Sequence, residues 1–271
     1  MVKAMYLFVL LLFLVFNGQI ESSPFPHHLG PRPVHKHIFI LAGQSNMAGR
    51  GGVHNGTWDG YIPCESRLDP SIVRLNSQLQ WEKAHEPLHA DIDVNKACGV
   101  GPGMAFANAI RSQWNVPLVG LVPCAIGGTK IKLWERGEVL YENMVRRAKE
   151  SVKEGGMINA LLWYQGESDT ITEEDADAYK SNMEKLIQDV RSDLGMPLLP
   201  VIQVALASGE GPYIEKVREA QKSITLPNVM WVDAQGLPLN EDHLHLYTHS
   251  QILLGRMLAL AYLTHFANPH F

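Results

Sequence analysis

Five short, almost unbroken apolar runs recur along the chain, at residues 37–42, 118–123, 160–164, 198–205 and 229–233. Runs of that length without polar alternation read as strands buried on both faces, the habit of a parallel sheet. Between them the spacing of apolar residues lengthens to that of helices. Gly101-Pro102-Gly103 opens one that carries Met104, Phe106, Ala109 and Ile110 and runs to Trp114. Others are predicted over 139–153, 173–194, 213–223 and 247–261. Thr172 with Asp175 has the spacing of an N-cap, and Gly195 with Pro197 stops the helix that follows. Strands alternating with helices predict an α/β fold: a doubly wound parallel sheet of about five strands, with right-handed crossovers placing helices on both faces. Residues 50–98 show no sustained period and predict a long excursion over the sheet edge, with a short hairpin near 72–81. An excursion of that length is usually functional.

The chain has 271 residues, 46% of them hydrophobic, and a formal net charge of −5. One large domain with a real core is enough to account for it. No basic stripe suggests nucleic acid, and no polybasic segment suggests stable membrane association. Lys3 precedes an apolar run at 6–16, and the small residues Ser22 and Ser23 follow. That is the layout of a secretory signal over 1–23, too short for a comfortable membrane span. Residues 24–35, rich in proline and histidine, predict a disordered lead-in, and 36–271 the folded domain. The expected location is extracellular, the cell wall included. Asn55-Gly56-Thr57 is then a candidate glycosylation triplet. Of three cysteines, Cys124 ends an apolar run and reads as a buried thiol, whereas Cys64 and Cys98 lie in loop-like sequence and are the pair available for a disulfide. No cysteine has surroundings that would lower its pKa.

The first apolar run stops at Gly43, followed by Gln44, Ser45 and Asn46. A buried parallel strand that ends in a glycine turn delivers the next residue to the carboxyl edge of the sheet, where open α/β folds hold ligands. Three other loops carry unusual polar residues: Gly127-Gly128-Thr129, Gln165-Gly166-Glu167-Ser168-Asp169, and Asp242-His243-Leu244-His245. Parallel strands bring such loops to one edge. Together they suit acyl transfer: Ser45 as nucleophile, His245 as its base, and Asp242, three residues earlier, to hold the imidazole. Candidate oxyanion donors are the backbone N–H of Ser45, that of Gly127 or Gly128, and the side chain of Gln165. Glu167 competes with Asp242 for the acid position. Blander roles exist for each: Ser45 as a helix cap, Gly127-Gly128 as a plain turn, Gln165 to Glu167 as a solvated loop. The three histidine positions His243, His245 and His249 lack a cysteine or an H-E-x-x-H partner, so neither metal nor cofactor is expected. Trp58, Trp81 and Trp134 read as core or loop anchors, and Arg50 and Lys130, which flank the first two motif loops, as solvated, with contact to substrate the lesser alternative. No G-x-S-x-G elbow occurs, which disfavours an α/β-hydrolase.

The segments Gly43 to Gly49, Gly99 to Gly103, Gly127 to Thr129, Trp163 to Asp169 and Asp242 to His245 resemble, in order and combination, the SGNH (GDSL-like) hydrolase superfamily. Within it the chain is similar to the carbohydrate esterase group that includes plant acetylesterases and sialate O-acetylesterase-like domains. The resemblance covers about residues 36–265. It implies a flavodoxin-like, three-layer α/β/α fold and metal-free removal of O-acetyl groups from sugars through an acyl-enzyme. The wider superfamily places an asparagine where this chain has Gln165-Gly166-Glu167. Two rivals stand beside a secreted carbohydrate acetylesterase: a catalytically weak carbohydrate-binding protein on the same scaffold, and a serine esterase for non-sugar esters. The oligomeric state is not legible in the sequence.

Overall fold

The computed structural model describes residues 35–267 except Asn115; the expected signal and nearly all of the lead-in lie outside the described residues. In chain order the elements are β1 (Lys36–Gly43), α1 (Ser45–Ala48), β2 (Val53–His54), β3 (Thr57–Trp58), β4 (Ile72–Leu75), β5 (Trp81–Lys83), α2 (Pro102–Trp114), β6 (Leu118–Pro123), α3 (Val139–Ser151), β7 (Met157–Tyr164), α4 (Glu173–Leu194), β8 (Val201–Ala205), α5 (Ile214–Lys222), β9 (Val229–Asp233) and α6 (Thr248–His265). Each of the five expected strands is present. The sheet nonetheless has seven, in the order β5-β4-β6-β1-β7-β8-β9. The hairpin expected near 72–81 joins it: β4 pairs parallel to β6, and β5 runs antiparallel to β4 as the edge. Burial explains the addition, because Ile72, Arg74 and Leu75 are all inaccessible to solvent.

Helices α2 and α6 pack on one another on one face of the sheet, and α3, α4 and α5 form the layer on the other, so the molecule is a three-layer α/β/α domain. The caps are those the sequence spells: the Thr172 hydroxyl accepts the N–H of Asp175, and Gly195 closes α4 in the left-handed region at φ 65°. Trp134 is fully buried edge-on to Trp163, and Trp81 lies beneath the Lys36 ammonium, so both are anchors. The Asn55 triplet forms the turn of the small β2–β3 hairpin. Cys64 and Cys98 are not bridged. Cys64 is exposed and gives its S–H to Glu65, whereas Cys98 is buried against Arg50. Bonding to that carboxylate raises the Cys64 thiol pKa, and burial pushes Cys98 up to about 11, so neither thiol is primed as a nucleophile.

The topology fixes the position of the site. β1 sits between β6 and β7, and the chain visits one side of it and then the other. A doubly wound sheet has its crevice at such a reversal, at the carboxyl ends of the strands. The loops leaving β1, β6 and β7 meet there.

Candidate active site

At the end of β1 the backbone turns within one residue. Gly43 has φ 129°, and a Cβ there would come within 2.0 Å of the Tyr164 carbonyl oxygen on the neighbouring strand. Only glycine lets the chain pass so close. The next residue, Gln44, is the N-cap of the four-residue helix α1, and its side chain makes no cap bond. Ser45 therefore stands at the first helical position with its hydroxyl directed elsewhere. Its Oγ lies 2.8 Å from Nε2 of His245, and His245 Nδ1 lies 2.7 Å from Oδ2 of Asp242. Hydroxyl, imidazole and carboxylate form one hydrogen-bonded line across 200 residues of sequence.

Asp242 uses its other oxygen to accept the N–H groups of Leu244 and His245, both at 2.9 Å. Partial burial works against its ionisation. Those two N–H groups and the imidazole outweigh it and hold the carboxyl below its ordinary range. The spacing of three residues is what permits this: the carboxylate caps its own turn while gripping the ring. Helix α6 begins later, at Thr248, so Asp242 does not cap it.

Asn46, adjacent to the serine and fully buried, holds this loop to the turn that carries Ser45. Its Oδ1 accepts the N–H of Leu246 at 2.9 Å, and its Nδ2 donates to the Leu244 carbonyl at 3.3 Å and to Glu167 Oε1 at 2.7 Å. His245 is thus gripped on both sides along the chain. Glu167 makes no hydrogen bond to His245. It is wholly buried, burial pushes its carboxyl up to about 7 despite the bond from Asn46, and its contact is with the asparagine. Of the two carboxylates expected to compete for the imidazole, the one in hydrogen-bond contact with it is that of Asp242.

Two of the expected oxyanion donors are already committed. Gln165 is fully buried and its Nε2 points at the Thr129 carbonyl (2.7 Å) and Asp169 Oδ2 (2.5 Å), not at Ser45. The N–H of Gly127 donates to Asp93 at 3.1 Å. The N–H groups of Ser45 and Gly128 donate to no group among the described residues, and both residues line the cleft. Arg50 also departs from expectation: it is buried and ion-paired with Asp93. A charge on a polar loop reads as solvated in sequence, but here the loop after α1 is itself covered. Lys130 is paired with Asp175 at 2.6 Å, away from the serine. Asp93, the residue that sequence reasoning missed, lies inside the excursion at 50–98, where no periodicity or motif singles it out.

The cleft over Ser45 encloses about 230 Å³ and is lined by Arg50, Lys96, Gly127, Gly128, Glu210, Leu244 and His245. Leucine 244 is the single apolar side chain of that lining. The arrangement suits hydrolysis of a small ester borne on a polar alcohol. Comparison with known proteins assigns the same class: residues 35–264 match the family described as carbohydrate esterase, sialic acid-specific acetylesterase. The chain belongs to that family and is a carboxylic ester hydrolase, an acetylesterase. Among relatives, a protein of Arabidopsis thaliana named probable carbohydrate esterase is 59% identical over 237 residues, 84% of this chain and 91% of that one. An X-ray structure of an Arabidopsis thaliana protein aligns with a TM-score of 0.84 at 57% identity, over 87% of this chain and 100% of that chain. The protein NanS has a TM-score of 0.69 at 15% identity, over 86% and 98% of the two chains, a likeness of fold.

Proposed function

We propose that this chain is a secreted serine esterase that removes O-acetyl groups from carbohydrate by way of an acyl-enzyme. Ser45 Oγ attacks the acetyl carbonyl while its proton passes to Nε2 of His245. Asp242 keeps Nδ1 protonated and stabilises the imidazolium. The negative oxygen of the tetrahedral intermediate is met by the N–H of Ser45 and of Gly128, donors fixed before the reaction begins. The C–O bond to the sugar breaks, and the imidazolium proton goes to the departing alkoxide. Water then gives a proton to His245 and attacks the acetyl-serine. A second tetrahedral intermediate collapses to acetate, and the proton returns to Ser45.

The observation that carries this reading is the unbroken line Ser45–His245–Asp242, with contacts of 2.8 and 2.7 Å. The lining of the cleft supports a hydroxylated alcohol rather than a lipid: charged and glycine residues surround the serine, with no apolar wall for an acyl chain. Family membership supports an acetylated carbohydrate as the substrate. The run of Lys3 and residues 6–16 supports secretion. Acetate release from acetylated xylan, pectin, mannan and sialic acid is the test. At least one should be deacetylated by the parent, and Ser45→Ala should release none while melting at the same temperature. Retained activity in Ser45→Ala would overturn the assignment.

A further inference from the structure

Beside the nucleophile lies an ion pair that the triad does not use. The side chains of Arg50 and Asp93 are 6% and 2% exposed. Oδ2 of Asp93 accepts both an Arg50 N–H and the N–H of Gly127. The other terminal nitrogen of Arg50 donates to the Gly49 carbonyl at 2.9 Å and lies 3.5 Å from the Cys98 sulfur. Three segments therefore meet at one carboxylate: the nucleophile turn, the excursion carrying residues 93–98, and the loop after β6. Gly127 is what allows the meeting. A Cβ at that position would come within 2.6 Å of Arg50 Nη2, 3.1 Å of Asp93 Oδ2 and 3.4 Å of the Ser45 Cβ. Guanidinium and nucleophile face each other across the space of a single absent methyl group.

Stability alone is a poor reason for such a pair. Removing two charges from water is costly, and an apolar replacement of similar volume is often neutral or better. The location is more telling, since all three segments border Ser45. We propose that Asp93, clamped by Arg50, is the positioning residue of the oxyanion loop. Its carboxylate holds the Ile126-Gly127 peptide by the Gly127 N–H and so orients the Gly127-Gly128 peptide that follows, leaving the Gly128 N–H free to meet the developing oxyanion. The assignment rests on Ser45 being the nucleophile. It gives the excursion at 50–98 a catalytic purpose: that excursion carries the group that shapes the donor loop.

The test compares the parent, Asp93→Asn, Asp93→Ala and Ser45→Ala on 4-nitrophenyl acetate, with phosphonylation by a fluorophosphonate and thermal melting alongside. Losing one oxyanion donor lowers kcat by about a hundredfold or more. Asp93→Ala should show a kcat loss of about a hundredfold with KM within about threefold of the parent, and phosphonylation should slow in parallel. Asp93→Asn keeps an acceptor for Gly127 but not the charge for Arg50, and should lose about tenfold, between the other two. The proposal is overturned by a kcat for Asp93→Ala within threefold of the parent, by a loss carried in KM alone, or by an Asp93→Asn value equal to either the parent or the alanine variant. Should Asp93→Ala not fold, Asp93→Asn against the parent decides, and equality of the two refutes the role. A parent that is not phosphonylated would sink the nucleophile assignment and this proposal with it. A parent labelled no faster than Asp93→Ala sinks this proposal alone.

Discussion

The two halves of the hydrogen-bonded line are built in opposite ways. Every residue from Ile38 to Gly52 is buried, so Ser45 is held by the core itself. His245 and Asp242 stand on a loop in which residues 241–243 are exposed; the side chain of His245 is 20% exposed and that of Asp242 48%. Packing cannot fix that loop. Hydrogen bonds do so instead: from the buried half Asn46 grips the backbone on both sides of the imidazole, the Ser208 hydroxyl donates to the Leu244 carbonyl, and within the loop the Asn240 N–H reaches the His245 carbonyl at 2.7 Å. A catalytic line needs precision of well under an ångström at both ends. Here one end gets it from burial, and lends it to the other chiefly through Asn46, with Ser208 and Asn240 adding hydrogen bonds of their own.

Breaking that loan should have the larger effect. Asn46→Ala removes the donor to Leu244 and the acceptor for Leu246, and leaves Glu167 without its partner. Displacement of the imidazole then predicts a kcat about a hundredfold lower, with Ser45 itself still in place. A kcat within threefold of the parent would show that the loop holds its own position. The smaller effect concerns what stands behind Asn46. Buried Glu167 has a carboxyl pKa pushed up to about 7, from an ordinary 4.5. Between those values the folded chain keeps a proton that the unfolded chain gives up, so stability is full below about 4.5 and falls as pH rises through 7. Glu86, pushed up to about 8 by burial, and Asp169, to about 7, act in the same direction. The melting temperature of the parent should therefore drop from pH 5 to pH 8. Glu167→Gln keeps an oxygen for Asn46 and cannot ionise, so its drop should be shallower while kcat stays within about threefold. An identical slope in the two proteins would contradict the assignment.

What the sequence shows of this site follows from what periodicity and local spacing can encode. The apolar run before Gly43, the cap at Thr172 and the three-residue interval from Asp242 to His245 are local features, and each has its structural counterpart in β1, α4 and the Asp242–His245 contact. Which way a side chain points after its strand ends is not local. Gln165 follows a buried strand as an oxyanion donor should, yet its amide turns inward because the loop after β6 supplies the Thr129 carbonyl there and its own loop supplies Asp169. Arg50 and Asp93 are 43 residues apart, in a stretch without a period, and nothing along the chain says they meet. The edge strand β5 is short for the same reason: three residues beside a partner are too few to show a pattern.

The most direct test of the account is to map the adduct of a fluorophosphonate on the active protein by tandem mass spectrometry. The geometry predicts phosphonylation of Ser45 alone, at a rate that collapses when His245 is replaced by alanine. An adduct on another serine, or none on a preparation that still releases acetate, would contradict it.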